Sequence, residues 1–230
     1  MKIGEVIQRV QSLYSKGVQS DSSRLTPRHI YSKLVSLRSK LLSEKAKKKQ
    51  KISDWNYQVL SCIELEDVQA HECPCIPVSG CTVKKSVYKI PKVMLDYNGN
   101  LIDYVMTIDS FERLDPTNRV ELLYLSGNKY TSHKWRYIIE NGFLYVYGKR
   151  VPVLLKMRAV FEDPIEVSNF LSYCPKEGCP EDIFDIEFPM DADQIDTMIE
   201  LAAQELVVLF SQNPNDITND NEDVQRVQPK

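Results

Sequence analysis

The chain has few of the residues from which compact chemical sites are built. Its 230 residues include 8 glycines, 3 histidines and 2 tryptophans. The glycines stand singly, so no phosphate-cradling loop and no dinucleotide fingerprint can be assembled from them. There is no Gly-x-Ser-x-Gly nucleophile elbow. The histidines, His29, His71 and His133, lie in unrelated contexts, and a Cys–His pair would have to be assembled in space rather than along the chain. No stretch approaches the roughly 20 apolar residues of a membrane span. The opening Met1-Lys2-Ile3-Gly4-Glu5 puts charge where a signal peptide needs its apolar region. These absences lead to the expectation of a cytosolically made, non-membrane, non-enzymatic protein. In that reducing compartment the six cysteines (Cys62, Cys73, Cys75, Cys81, Cys174, Cys179) are expected as thiols or metal ligands, not as a disulfide framework.

The chain does carry a strong electrical polarity. Hydrophobic residues make up 43% and charged residues 27%, an ordinary globular balance, and the formal net charge is only -3. Residues 1–51 nevertheless hold thirteen Lys/Arg against three Asp/Glu, while residues 162–230 hold three against seventeen. Two outcomes fit this asymmetry. The two ends pack on each other, or the basic end of one copy meets an acidic surface on a neighbour.

Periodicity places the elements. Ile3, Val6, Ile7, Val10, Leu13 and Tyr14 line one face of a helix that Gly17 ends. Thr26-Pro27 starts a second helix, with Thr as cap and Pro at the first helical position, and Ile30, Leu34, Leu37 and Leu41 form its stripe. Its far end is the basic run Lys45, Lys47, Lys48, Lys49 and Lys51, which reads as a solvated helix end favoured by the helix dipole. The alternative is a nucleic-acid-binding protein using these lysines on phosphates, although no aromatic interleaves to stack on bases.

From Trp55 onward the pattern is β. Strands are expected at 57–65, 86–90 and 151–157. Hairpins are expected at Asn98-Gly99, between 92–97 and 101–106, and at Asn141-Gly142, between 136–140 and 143–147, because Asn-Gly suits a type I′ turn. A final helix begins at Asp191, with Gln194 at capping-box spacing, and Ile195, Met198, Ile199, Ala202, Leu206, Leu209 and Phe210 form its apolar stripe. This stripe is expected to pack beside the Thr26 helix.

The expected fold class is α+β: N-terminal and C-terminal helices packed beside a central antiparallel β domain, sandwich-like or barrel-like. The expected organisation is a helical segment over 1–53, the β domain over 54–172, a cysteine-bearing loop and amphipathic helix over 173–212, and a flexible polar tail over 213–230. One cluster has metal-ligand chemistry. His71, Cys73, Cys75 and Cys81 are four soft donors within eleven residues, which suits tetrahedral zinc. The single residue between Cys73 and Cys75 is tighter than usual zinc spacing, so a Pro-rich connection with semi-buried thiols is the expectation and no cofactor is expected. Any zinc here would hold a loop, because four protein ligands leave no open position.

Three runs carry a resemblance: Ser15-Lys16-Gly17-Val18, Ser23-Arg24-Leu25-Thr26-Pro27-Arg28-His29-Ile30-Tyr31, and Lys48-Lys49-Gln50-Lys51-Ile52-Ser53-Asp54-Trp55-Asn56-Tyr57-Gln58. Together with the Cys73-Pro74-Cys75 and Cys81 loop, they resemble the opening of a neck or ring protein of crAss-like bacteriophages, over roughly the first third of the chain. The resemblance implies a structural virion protein of the neck or tail, similar in role to a tail tubular protein and assembled in the host bacterial cytoplasm. Its implied partners are copies of itself in a ring, typically twelvefold, the portal protein above, adjacent ring or tail proteins, and packaged DNA by electrostatic proximity. It carries over no catalytic residue. A closed ring needs complementary surfaces on opposite sides of one subunit, and the expected interface residues are Lys45, Lys47, Lys48, Lys49 and Lys51 on the basic side, with Asp191, Asp193, Asp196 and Glu200 on the acidic side.

Overall fold

The computed structural model describes residues 1–15, 25–68, 82–96, 99–125, 134–170 and 183–211. Helices from both chain ends lie beside a sheet that is nearly a closed barrel, so the fold is α+β. The first helix, α1 (Ile3–Tyr14), opens with Lys2 donating its backbone N–H to Glu5 at 3.0 Å and buries Ile3, Val6, Ile7 and Val10. The second, α2 (Pro27–Lys47), is capped by Thr26, whose hydroxyl accepts the His29 N–H, with Pro27 at its first turn. Lys48 caps its C-terminus, and Lys49 turns the chain away at φ 54°. The last helix, α5 (Ala192–Ser211), packs on both. Ile3, Val6 and Ile7 from α1, Ile30, Leu34 and Leu37 from α2, and Ile195, Met198, Ile199 and Leu206 from α5 share one apolar core.

That arrangement answers the charge polarity. The two chain ends pack together, and ion pairs cross between them: Lys2 to Asp185 at 3.1 Å, Arg9 to Asp196 at 2.9 Å, Lys45 to Asp191 at 3.7 Å, and Lys33 to Glu205. Such pairs, largely at the surface, contribute about 0–1 kcal/mol each, so they select which faces meet while apolar burial stabilises the contact. The expected capping box at α5 is absent. Asp191 instead takes Lys45 and the Asn56 side-chain amide, and Gln194 Oε1 is buried without a hydrogen-bond partner.

Seven strands among the described residues form one sheet in the order β5-β9-β1-β2-β8-β7-β6: β1 (Gln58–Asp67), β2 (Thr82–Ser86), β5 (Ile102–Thr107), β6 (Asp115–Pro116), β7 (Arg136–Glu140), β8 (Phe143–Gly148) and β9 (Leu154–Ala159). Every pairing is antiparallel except β6 with β7. Pro116 is tolerated there because Asp115 and Thr117 make the donations, to Trp135 and Tyr137. Just before β6, Arg113 bridges Met106 of β5, and Leu114 donates to Val105 at 2.8 Å. One short segment thus touches both ends of the sheet and nearly closes it, leaving little free edge. The interior is filled by Leu60, Ile63, Val105, Leu144, Leu155 and Met157. Bulges in β1, between Leu60 and Ile63, and in β5, between Ile102 and Tyr104, bend the strands around it.

The Asn141-Gly142 turn joins β7 to β8 with both residues at positive φ, 52° and 81°, as a type I′ turn requires. The Asn98-Gly99 hairpin corrects its expectation in length. Leu95 pairs with Asn100 and Asp96 with Gly99, joining β3 (Leu95–Asp96) to β4 (Gly99–Asn100), and Leu101 donates to the Met94 carbonyl at 2.8 Å, so the hairpin forms but is shorter than the flanking runs. Residues 102–107 pair with β9 instead, because tertiary closure of the barrel outweighs the local turn. The strand expected at 86–90 is also displaced, since β2 ends at Ser86. The Ser86 hydroxyl donates to the Tyr88 carbonyl at 2.9 Å and accepts the Leu144 N–H at 3.1 Å, which substitutes for the ladder and turns the chain. Residues 151–153 precede β9 and are not part of it. The cysteine-bearing loop at 174–180 and the expected tail fall outside the described residues.

A third apolar cluster, Leu42 and Ala46 of α2 with Ile52, Met94 and Val160, joins helices to barrel. One turn before Leu42 on α2, Arg38 is fully buried. Its guanidinium donates to the carbonyls of Phe161 (2.6 Å), Pro189 (3.0 Å) and Asn56 (3.3 Å), which come from the segment just after β9, the lead-in to α5 and the turn before β1.

Candidate assembly interface

The residues expected to form the interface fall into two sets. Lys45, Asp191 and Asp196 are engaged inside the chain: Asp191 lies between Lys45 and Asn56, and Asp196 accepts from Arg9. Lys47, Lys48, Lys49 and Lys51 are exposed around the C-terminal end of α2, and Asp193 and Glu200 are exposed on α5. Asp193 sits in the first turn of α5, where a negative charge is favoured, and Lys47 in the last turn of α2, where a positive charge is favoured. The expected interface residues are therefore not one patch. Part of them closes the helical layer, and the rest faces outward from two different helices.

A cleft of about 420 Å³ opens between the end of α2 and the barrel, lined in part by Lys49, Lys51, Asp54, Tyr57 and Asp103. Its carboxylates are held by one guanidinium, since Arg158 donates to Asp103 at 2.9 Å and to Asp54 at 3.2 Å and lies 5.0 Å over the Tyr57 ring. Burial raises the Tyr57 phenol, with Asp103 adding to the effect. The arrangement ties the turn before β1 to β5 and β9.

A family model described as phage tail ring protein 2 matches residues 5–225. Ring protein 2 of Bacteroides phage crAss001 is 31% identical over 200 residues, covering 82% of this chain and 84% of that protein. The chain belongs to the phage tail ring protein 2 family. Membership makes it a bacteriophage structural protein of the tail, and so a component of the virion.

The two sequence-derived site types fare differently in this ring-family subunit. His71, Cys73, Cys75 and Cys81 lie outside the described residues, and among the described residues no group of three or more metal-ligating side chains occurs. The expectation of free thiols is corrected at Cys62. That residue, at φ 56° in the β1 bulge, is disulfide-bonded, and all five other cysteines lie outside the described residues. Among the described residues no helix is long and apolar enough to cross a membrane.

Sequence reasoning missed Arg38, Tyr31 and Asp163. Tyr31 donates to Asp163 at 2.5 Å, and the same carboxylate oxygen caps α4 (Pro164–Ser168) through the Ile165 N–H. Burial and the bond to Asp163 push the Tyr31 phenol far above its ordinary value. Burial lowers Arg38 to about 10, with Tyr31 and Asp163 acting in the other direction, so it stays charged at neutral pH. One signal was available. Arg38 lies four residues after Leu34, on the apolar face of α2, and a charge on a buried stripe needs a partner.

Proposed function

We propose that this chain is the repeating, non-catalytic subunit of a closed ring in the neck of a phage particle, between the portal and the tail, surrounding the channel through which DNA passes. Its partners in this reading are neighbouring copies, the portal protein and adjacent ring or tail proteins. The crAss001 relative is named a ring protein, and the observation that carries the reading is the family match over residues 5–225, nearly the whole chain. The fold supplies a physical basis. A ring subunit must be rigid and must carry two unlike surfaces; here a filled barrel is joined to a helical layer through buried Arg38, and the helices leave outward charges of opposite sign on α2 and α5. The helical segment, the β domain and the C-terminal helix act as one body in this reading, with divisions near residues 53, 172 and 212. Twelve copies are the expected number.

Electron microscopy of the purified protein, alone and with the portal, tests the proposal. Closed rings in either sample support it, with their copy number read directly. Monomers in both samples, at concentrations where portal rings are intact, sink it. Exposed Lys48 and Lys51 support a second reading, in which the end of α2 faces packaged DNA. That reading requires DNA affinity that falls steeply between low and physiological salt.

A further inference from the structure

The outer faces of α2 and α5 match each other in spacing as well as in charge. On α2 the solvent-facing stripe runs Ser32, Ser36, Lys40, Ser43, Lys47, with Ser43 half-buried and the others exposed. On α5 it runs Asp193, Thr197, Glu200, Gln204, Val208, all exposed. Lys40 and Lys47 are two helical turns apart, as are Asp193 and Glu200, so each pair stands on one line along its helix. Among the described residues none of these four charges is in an ion pair.

The geometry points to a head-to-tail contact in which the outer face of α2 on one copy docks antiparallel against the outer face of α5 on the next. This inference rests on the ring reading and gives it a specific interface. In the register that sets Lys47 opposite Asp193, Lys40 falls opposite Glu200, Ser43 opposite Thr197, Ser36 opposite Gln204 and Ser32 opposite Val208. The serines present little bulk, so the second helix can approach closely. Glu44 lies beside this stripe and falls opposite Asp196, whose charge Arg9 already holds.

The occupant is a second copy because the two complementary faces cannot meet within one chain. Inside the subunit, α2 and α5 already pack through their opposite, apolar faces, also antiparallel, as the Lys33–Glu205 and Lys45–Asp191 pairs record. One copy therefore presents both halves of the contact in different directions, and such a contact propagates from copy to copy. Exposed ion pairs each contribute little. Their work here is to fix register and direction and to reject a parallel or slipped alignment.

Charge reversal tests the contact. One variant carries Lys40→Glu with Lys47→Glu, and the other carries Asp193→Lys with Glu200→Lys. All four positions are exposed, and unchanged circular dichroism and melting confirm that each variant folds. Self-association is read by sedimentation velocity and mass photometry of the full chain, with the portal added if the parent needs a template. Each variant alone is expected to associate about tenfold or more weakly than the parent. An equimolar mixture is expected to recover assembly, because each variant then complements both faces of the other. Normal assembly of either variant alone, or no recovery on mixing, overturns the docking while the ring reading stands. A parent chain that forms no ring in either condition overturns both.

Discussion

Arg38 shows how one side chain can decide the rigidity of a subunit. Its three carbonyl partners belong to three segments that are distant in sequence, and truncation leaves all three acceptors buried and unpaired at about 1–3 kcal/mol apiece before relaxation. Arg38→Ala is expected to lower unfolding stability by about 3–5 kcal/mol in urea titration. Arg38→Lys should recover little of this, because a single ammonium cannot reach three separated carbonyls as the planar fork does. Tyr137 provides a test of pH dependence. Burial raises its phenol to about 12, against opposition from Arg113 and with help from Asp115. The folded state therefore holds this proton more tightly than the unfolded chain, so its contribution is complete below about 10 and is lost as pH rises towards about 12. Over that interval the parent's stability should fall more steeply than that of Tyr137→Phe; parallel curves would show that the phenol is not held in this way.

Elements add a constraint that no single residue carries. The α5 stripe is core from Ile195 to Leu206, whereas Leu209 and Phe210, expected to continue it, are exposed: Leu206 is 2% exposed and packs with Ile30 and Leu34 of α2. Leu206→Asp places a charge where neither helix offers a partner, at a cost of several kcal/mol, so soluble folded protein should be lost. A folded variant with native melting would mean that α5 does not pack as described. The N-terminus of α2 is a milder case. Thr26→Ala removes the acceptor for the His29 N–H and should cost about 1 kcal/mol in thermal or chemical denaturation, with the ring contact unaffected. The displaced and shortened elements carry a related lesson. Asn98-Gly99 and residues 86–90 had good local signals, yet barrel closure and the Ser86 hydroxyl fixed how far they pair.

At the scale of the whole molecule, the internal ion pairs consume part of the polarity and leave Lys40, Lys47, Asp193 and Glu200 facing outward. An interface registered by exposed charge is screened by salt, so raising ionic strength from about 0.1 M to about 1 M, where the screening length falls from about 10 Å to about 3 Å, should weaken assembly. Assembly strengthened by salt would instead indicate an interface dominated by apolar burial. Much of the fold was legible in the chain itself. The helix limits at Thr26-Pro27, the Asn141-Gly142 turn, the α+β class and the opposed charge of the two ends are local or compositional properties, set by which residues stand near each other in sequence. Which charges pair inside the subunit and which remain outside, the bond at Cys62, the burial of Arg38 and the near-closure of the sheet through Arg113 and Leu114 were decided only by tertiary structure. Each depends on groups far apart along the chain, and periodicity records which face of an element is apolar without recording which other element will cover it.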